Sequence, residues 1–337
     1  MRSVLAAACL AAACAPLATA PAVVLSAPAA PLAPVYVGER PIRPVPAYGA
    51  IWVANASAGR VLRIDPLSGR TTSIRVADPH RLIAAGCAPS SEHAYATGSF
   101  GLRACDAPSA IAAGGGAIWA TGNDARTIVR IDPAEERVTA SIAVGFVPWS
   151  VVASDDAVWV SDYTSNAVVR IDPHTMLATR RLAVAAGPTE LAIAPGVLWV
   201  LSSAAGVLTR IDTVRDAIVT TIALSPWAVD VAAFGDDVWV RGGAGSGSAA
   251  LVQIDARTDR ITRTHQSGAL LGREGVGSIA ATARGVWVPG LTLDLIARDT
   301  GEVLDSVPSA GYAVAIDGAV LWSLDVFGRL VRSTPLR

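Results

Sequence analysis

Seven tryptophans recur along this chain at positions 52, 119, 159, 199, 239, 287 and 322, at intervals of 67, 40, 40, 40, 48 and 35 residues. Most sit between apolar neighbours, as in Ile51-Trp52-Val53, Val158-Trp159-Val160 and Leu198-Trp199-Val200. A unit of about 40 residues cannot bury its own apolar faces, so it must stack against copies of itself. The unit 148–187 resolves into four short runs, at 150–153, 157–161, 167–171 and 178–184. Asp, Gly and Pro turns separate these runs, and no helical period intervenes, which predicts strands. Four strands in about 40 residues make one propeller blade. The expected fold is therefore all-β, a seven-bladed β-propeller of four-stranded antiparallel blades.

Each blade face packs on a neighbour, so the middle strands should be apolar on both sides, as Val158-Trp159-Val160 and Val168-Val169 are. The first strand lies nearest the axis, where blades crowd, and small residues such as Ser150, Ala153, Ala192 and Ala194 suit it. The Trp then fills the wider gap further out. An Arg-Ile-Asp-Pro signature follows the Trp at 63–66, 130–133 and 170–173, decaying to Arg210-Ile211-Asp212 and Gln253-Ile254-Asp255. Its Asp reads as a turn cap. Past Trp322 the chain runs out before a fourth strand, while Val35-Tyr36-Val37 is spare strand-like material upstream of Trp52. That segment is predicted to complete the last blade and close the ring, removing an open sheet edge.

The 67-residue interval exceeds 40 by 27, too little for an eighth blade, and reads as an insertion at about 77–106. It contains Cys87 and Cys105, a pair suited to a disulfide in an oxidising compartment and poorly spaced for zinc. Closing such a loop contributes about 3 kcal/mol. Residues 1–22 read as a signal peptide, with Arg2 as the positive start and an apolar stretch at 4–13 too short to span a bilayer. Two exits remain open. Ala11-Ala12-Ala13-Cys14 resembles a lipobox that would lipidate Cys14, and Ala20-Pro21-Ala22 permits cleavage before Val23. A Pro/Ala-rich linker occupies 23–34, and the propeller occupies 35–337. Formal net charge is −1, which gives no basic field for nucleic acid and leaves a lipid anchor as the only membrane link.

With the Trp and Arg-Ile-Asp-Pro motifs, and with Gly145-Phe146-Val147-Pro148 and Gly187-Pro188 between repeats, the sequence resembles bacterial YVTN/YncE-like propellers. More loosely, it is similar to the streptogramin (virginiamycin B) lyase superfamily. The lyase resemblance implies a metal-assisted elimination on one face, carried by His and Glu after the segments that open inner strands. The matching positions are Trp149-Ser150, Thr189-Glu190 and Trp227-Ala228, of which Glu190 alone carries acid–base chemistry.

Loops joining blades and loops joining second to third strands share one face, and binding residues usually sit on such loops. The predicted mouth gathers Trp149, Trp227, Tyr163, Asp162 and Arg241 as ligand-binding candidates. Glu190, Asp230 and His93 are the candidate catalytic groups, and His265 is placed to reach the same mouth. Each has a structural counterpart: loop packing for the aromatics, strand capping for the carboxylates. No nucleophile elbow, phosphate loop or dinucleotide fingerprint is present. The expected function is an extracytoplasmic, monomeric binding module for a small molecule or an envelope protein, without a cofactor. The alternative is a lyase or hydrolase, which alone calls for a divalent metal.

Overall fold

The computed structural model describes residues 32–39, 41–77, 108–122, 125–224, 228–244, 248–266, 278–290, 292–308, 311–325 and 327–334. Its strands form seven four-stranded antiparallel sheets. Six are simple meanders in chain order. Blades 1 to 6 span 41–75, 111–143, 148–183, 188–223, 228–266 and 280–308. In the seventh, Gly311–Asp317, Val320–Asp325 and Arg329–Ser333 are joined on the outside by Val35–Tyr36. The N-terminal strand therefore closes the ring. Val35 pairs with Leu330, Val37 N–H donates to the Gly328 carbonyl at 2.8 Å, and the Asn55 amide of blade 1 donates to the Val37 carbonyl at 2.8 Å.

In the third blade the strands run Pro148–Ala153, Val158–Asp162, Ala167–Ile171 and Ala178–Ala183, within two residues of the predicted bounds. Every repeat Trp is buried and packs onto the blade that follows it. Trp119 meets Val151, Val158 and Val160, and Trp159 meets Leu191, Leu198 and Val200. Trp322 of the last blade meets Ile51, Val53 and Ile64 of the first. The hydrophobic repeat is thus an inter-blade glue that runs the full circle.

The Arg-Ile-Asp-Pro signature does two jobs. Its Asp accepts backbone N–H groups two and three residues on, as Asp132 does from Ala134 and Glu135 at 2.9 Å, and Asp172 from His174 and Thr175 at 2.8 and 3.0 Å. These bonds tighten the turn so far that the fourth residue after the Asp takes positive φ: Gly69, Glu136, Met176, Asp216 and Asp259. The Arg reaches that residue in the next blade, pairing Arg63 with Glu136 at 3.4 Å, Arg170 with Asp216 at 3.6 Å and Arg210 with Asp259 at 3.0 Å. The motif is a blade-to-blade clamp on the face opposite the mouth.

The insertion with Cys87 and Cys105, and the segment with Cys14, lie outside the described residues.

Candidate functional site

The sheet register places one residue of each blade at an equivalent point on the inner strand, two before the partner of the repeat Trp. These are Arg43, Ala110, Ser150, Glu190, Asp230, Ser278 and Ala313. Each stands nine residues ahead of its Trp. In five blades the register slips at or beside this point, between Ile42 and Pro44, Pro148 and Val151, Pro188 and Glu190, Ala228 and Asp230, and Gly311 and Ala313. A bulge re-aims a side chain out of the regular pleat.

The outcome is a charged cluster drawn from opposite walls. Arg43 Nη2 donates to Asp230 Oδ1 in a close ion pair, and lies 3.7 Å from Glu190 Oε2. Arg43 belongs to blade 1, whereas Glu190 and Asp230 belong to blades 4 and 5, the two farthest from it in a ring of seven. A single side chain linking them must cross the central channel. Ser150 of blade 3 points its hydroxyl at Glu190 Oε2, at 3.5 Å.

The two carboxylates are held differently. Asp230 is sealed, with 3% of its side chain exposed, and its Oδ2 accepts the Ile279 N–H at 2.6 Å. Arg241, its register partner on the second strand, is also buried and adds a second positive charge. Among the described residues Glu190 has only the two long contacts just given, and 21% of its side chain stays open. Burial pushes the Glu190 carboxyl up to about 8; Arg43 opposes this and Asp230 reinforces it. Burial also raises Asp230, against the pull of Arg43 and two backbone N–H groups, and lowers Arg241 to about 10. Burial would lower Arg43 too, but its two carboxylate partners outweigh it and raise it. Both carboxyls are thus raised by burial, and Asp230 is the better supplied with donors.

Stability follows with a definite sign. A carboxyl whose folded pKa is raised binds more protons folded than unfolded, so stability falls as pH rises from about 4.3, the unfolded value, to about 8. Glu190→Gln stays neutral throughout. It is expected to match the parent near pH 4 and to melt at least about 3 °C higher above pH 8, as scanning calorimetry would record; equal melting at both would refute the assignment.

One residue ahead of Ser150 on the same strand, Trp149 stacks on Tyr163 with centroids 5.1 Å apart and planes at 26°. Ser109 of the preceding blade fixes the Trp149 carbonyl at 3.1 Å. Both rings are half-buried, so this pair is a partly open aromatic shelf. Asp162 is turned inward and fully buried, its carboxylate taken by Arg181 at 2.6 Å, Thr164 at 2.8 Å and the Ser165 N–H at 3.1 Å. Trp227 and His93 lie outside the described residues.

Two placements differ from the sequence reading. Arg241 sits within Asp237–Ala244, not in a loop, because the second and third strands of blade 5 stay paired as far as Ala244 and Ser248. His265 does not turn to the mouth. It lies on the outer strand of blade 5, its ring stacked at 6.3 Å on Trp239 and against Gly301 of blade 6. Arg43 is the participant that sequence reasoning missed, although the nine-residue offset from Trp52 marks it.

A divalent metal does not fit the described residues. The Arg43 guanidinium already fills the position between the two carboxylates, and no group of three His, Cys, Asp or Glu among the described residues converges on a point.

By sequence, no family model and no curated protein matches this chain. Solved structures match it in fold. Hydrazine synthase of Kuenenia stuttgartiensis superposes with a TM-score of 0.65 at 14% identity, covering 85% of this chain and 92% of that one. A streptogramin B lyase superposes with a TM-score of 0.61 at 12% identity, covering 90% and 95%. BamB from Moraxella catarrhalis gives 0.54 at 12% identity, covering 85% and 82%. At these identities the likeness establishes the propeller fold and carries no residue roles.

Proposed function

We propose that this chain is an exported propeller that binds a small ligand at the mouth of its central channel. Export rests on the signal-like segment at 1–22, with Cys14 as a lipid anchor in one of its two readings. The observation that carries the binding role is the ring position itself. Blades 2 and 7 fill it with Ala110 and Ala313, so packing alone needs nothing larger there. Blades 1, 4 and 5 instead place Arg43, Glu190 and Asp230, and Arg43 and Glu190 keep 30% and 21% of their side chains open. Desolvating charges is costly, and perturbed groups in a cleft mark functional sites. The Trp149–Tyr163 shelf beside them supplies a flat apolar surface, the usual companion of a few convergent polar groups.

Elimination chemistry gains no support from this cluster, since Arg43 occupies the carboxylates that a metal would need. The binding reading is tested by thermal-shift screening of the mature protein against small organic acids, saccharides, small lactones and divalent metals. The expected result is a rise with one organic class, reduced by both Arg43→Met and Trp149→Ala. Stabilisation by a divalent metal that Glu190→Ala removes would favour the enzyme reading instead, and a rise indifferent to Arg43 and Trp149 would move the site elsewhere.

A further inference from the structure

Resting on that binding reading, we infer that the ligand is a saccharide, a pyranose whose neighbouring hydroxyls bridge Arg43 and Glu190 and whose apolar face lies on Trp149. The Arg43–Asp230 pair decides where such a ring sits. It is a chord from blade 1 to blade 5, with blades 2, 3 and 4 on one side and blades 6 and 7 on the other. At the equivalent point of the inner strands, the two-blade side offers Ala313 and Ser278, and the Ser278 hydroxyl already accepts the Val314 N–H at 3.3 Å. The three-blade side offers Ala110, Ser150 and Glu190, and Trp149 precedes Ser150 on the same strand. The open polar atoms and the aromatic ring therefore belong to one sector of the channel.

The hydrogen-bond inventory of that sector is incomplete on both sides. Arg43 places Nη2 alone on the two carboxylates; among the described residues its Nε and Nη1 have no partner, and 30% of its side chain is open. Glu190 Oε1 has no partner among them either. Its Oε2 stands 3.5 Å from Ser150 and 3.7 Å from Arg43, longer than good hydrogen bonds. Polar groups at such a separation are ordinarily bridged by water, and a hydroxyl reproduces the same bonds, accepting from one group and donating to the other. Two neighbouring hydroxyls on one ring serve a guanidinium edge and a carboxyl together.

A hydroxyl also asks for no particular proton state of Glu190. It donates to a carboxylate or accepts from a carboxyl, and it accepts from Arg43 in both cases. A carboxylate ligand needs the proton on Glu190, and an ammonium ligand needs Arg43 to give up its carboxylates. A neutral ring brings no charge of its own to be desolvated. The C–H face of a pyranose is flat and apolar, which suits an indole held in place by its stack on Tyr163.

The test is titration of the mature protein with the methyl pyranosides of glucose, galactose and mannose, with benzoate and benzamide as probes of other classes. Calorimetry and tryptophan emission report binding. At least one pyranoside is expected to bind and to shift the emission, and Trp149→Ala should abolish that shift. Deoxy analogues at two neighbouring positions of that sugar should each bind at least about tenfold more weakly; an even response around the ring would overturn the bridge. Arg43→Met should lose at least about tenfold, with circular dichroism confirming that it folds. The deoxy series needs no variant, so it decides the matter if Arg43→Met does not fold. Glu190→Gln, which still donates and accepts, should retain binding that Glu190→Ala weakens by at least about tenfold. Failure of every pyranoside would overturn the saccharide, and benzoate or benzamide binding that depends on Arg43 and Trp149 would then leave the binding role standing. Pyranoside binding unchanged in both Arg43→Met and Trp149→Ala would overturn both.

Discussion

Asp230→Ala is expected to destabilise the protein by about 3–5 kcal/mol, the largest effect of any substitution in the channel. The size comes from what is left behind. Arg43 pairs with this carboxylate and Arg241 feels its charge, so its loss removes the negative charge that both guanidinium groups face. The Ile279 N–H of blade 6 is stranded as well, because its acceptor is Asp230 Oδ2. Asp230→Asn separates the terms: the amide oxygen keeps the Ile279 bond, but no negative charge remains. Chemical denaturation should therefore rank the variants as parent, Asn, Ala in falling stability. A loss below about 1 kcal/mol for Ala would mean that the carboxylate is a solvated rim group rather than the hub of the cluster.

The second large effect is at the repeat tryptophans. Trp159→Ala should cost about 3–5 kcal/mol, since its ring is fully buried against Leu191, Leu198 and Val200 of the next blade. Truncation to Phe is more discriminating. Trp119 Nε1 donates to the Gly114 carbonyl at 3.0 Å, whereas Trp159 Nε1 finds no acceptor among the described residues. Trp119→Phe loses that bond and should cost about 1 kcal/mol more than Trp159→Phe. Equal costs, measured in one denaturant series, would show that the indole N–H is irrelevant in both blades.

The ring itself was legible because a blade is a local object. Its strands, turns and Trp lie within 40 residues, and each signal repeats often enough to average out the exceptions. Ring closure by Val35–Tyr36 was legible too, because the last blade lacked a strand and the first had one to spare. The axial cluster was legible only in part. Glu190 and Asp230 stand out as acids after blade-opening segments, but their partner lies 187 residues from Asp230, across a closed ring. No local pattern carries that distance. Arg43 also hides in Pro41-Ile42-Arg43-Pro44, which lacks the Gly-Pro marker of later repeats. Counting nine residues back from every Trp recovers it, and needs only the assumption that all blades share one register. Arg241 is expected in a loop because Gly242-Gly243-Ala244 looks like one. Backbone pairing needs no side chains, so those residues extend the hairpin instead. The inward turn of Asp162 depends on Arg181 from the outer strand, another contact outside any short window.

The link on which the whole cluster depends is the ion pair that Arg43 makes across the channel with Asp230. A double-mutant cycle tests it most directly, with Arg43→Met, Asp230→Asn and the pair compared by urea denaturation. Close charges on shared partners should couple by about 1–3 kcal/mol, so that the second substitution costs far less once the first is made. Additivity within about 0.3 kcal/mol would contradict the claim, since residues that close cannot act independently.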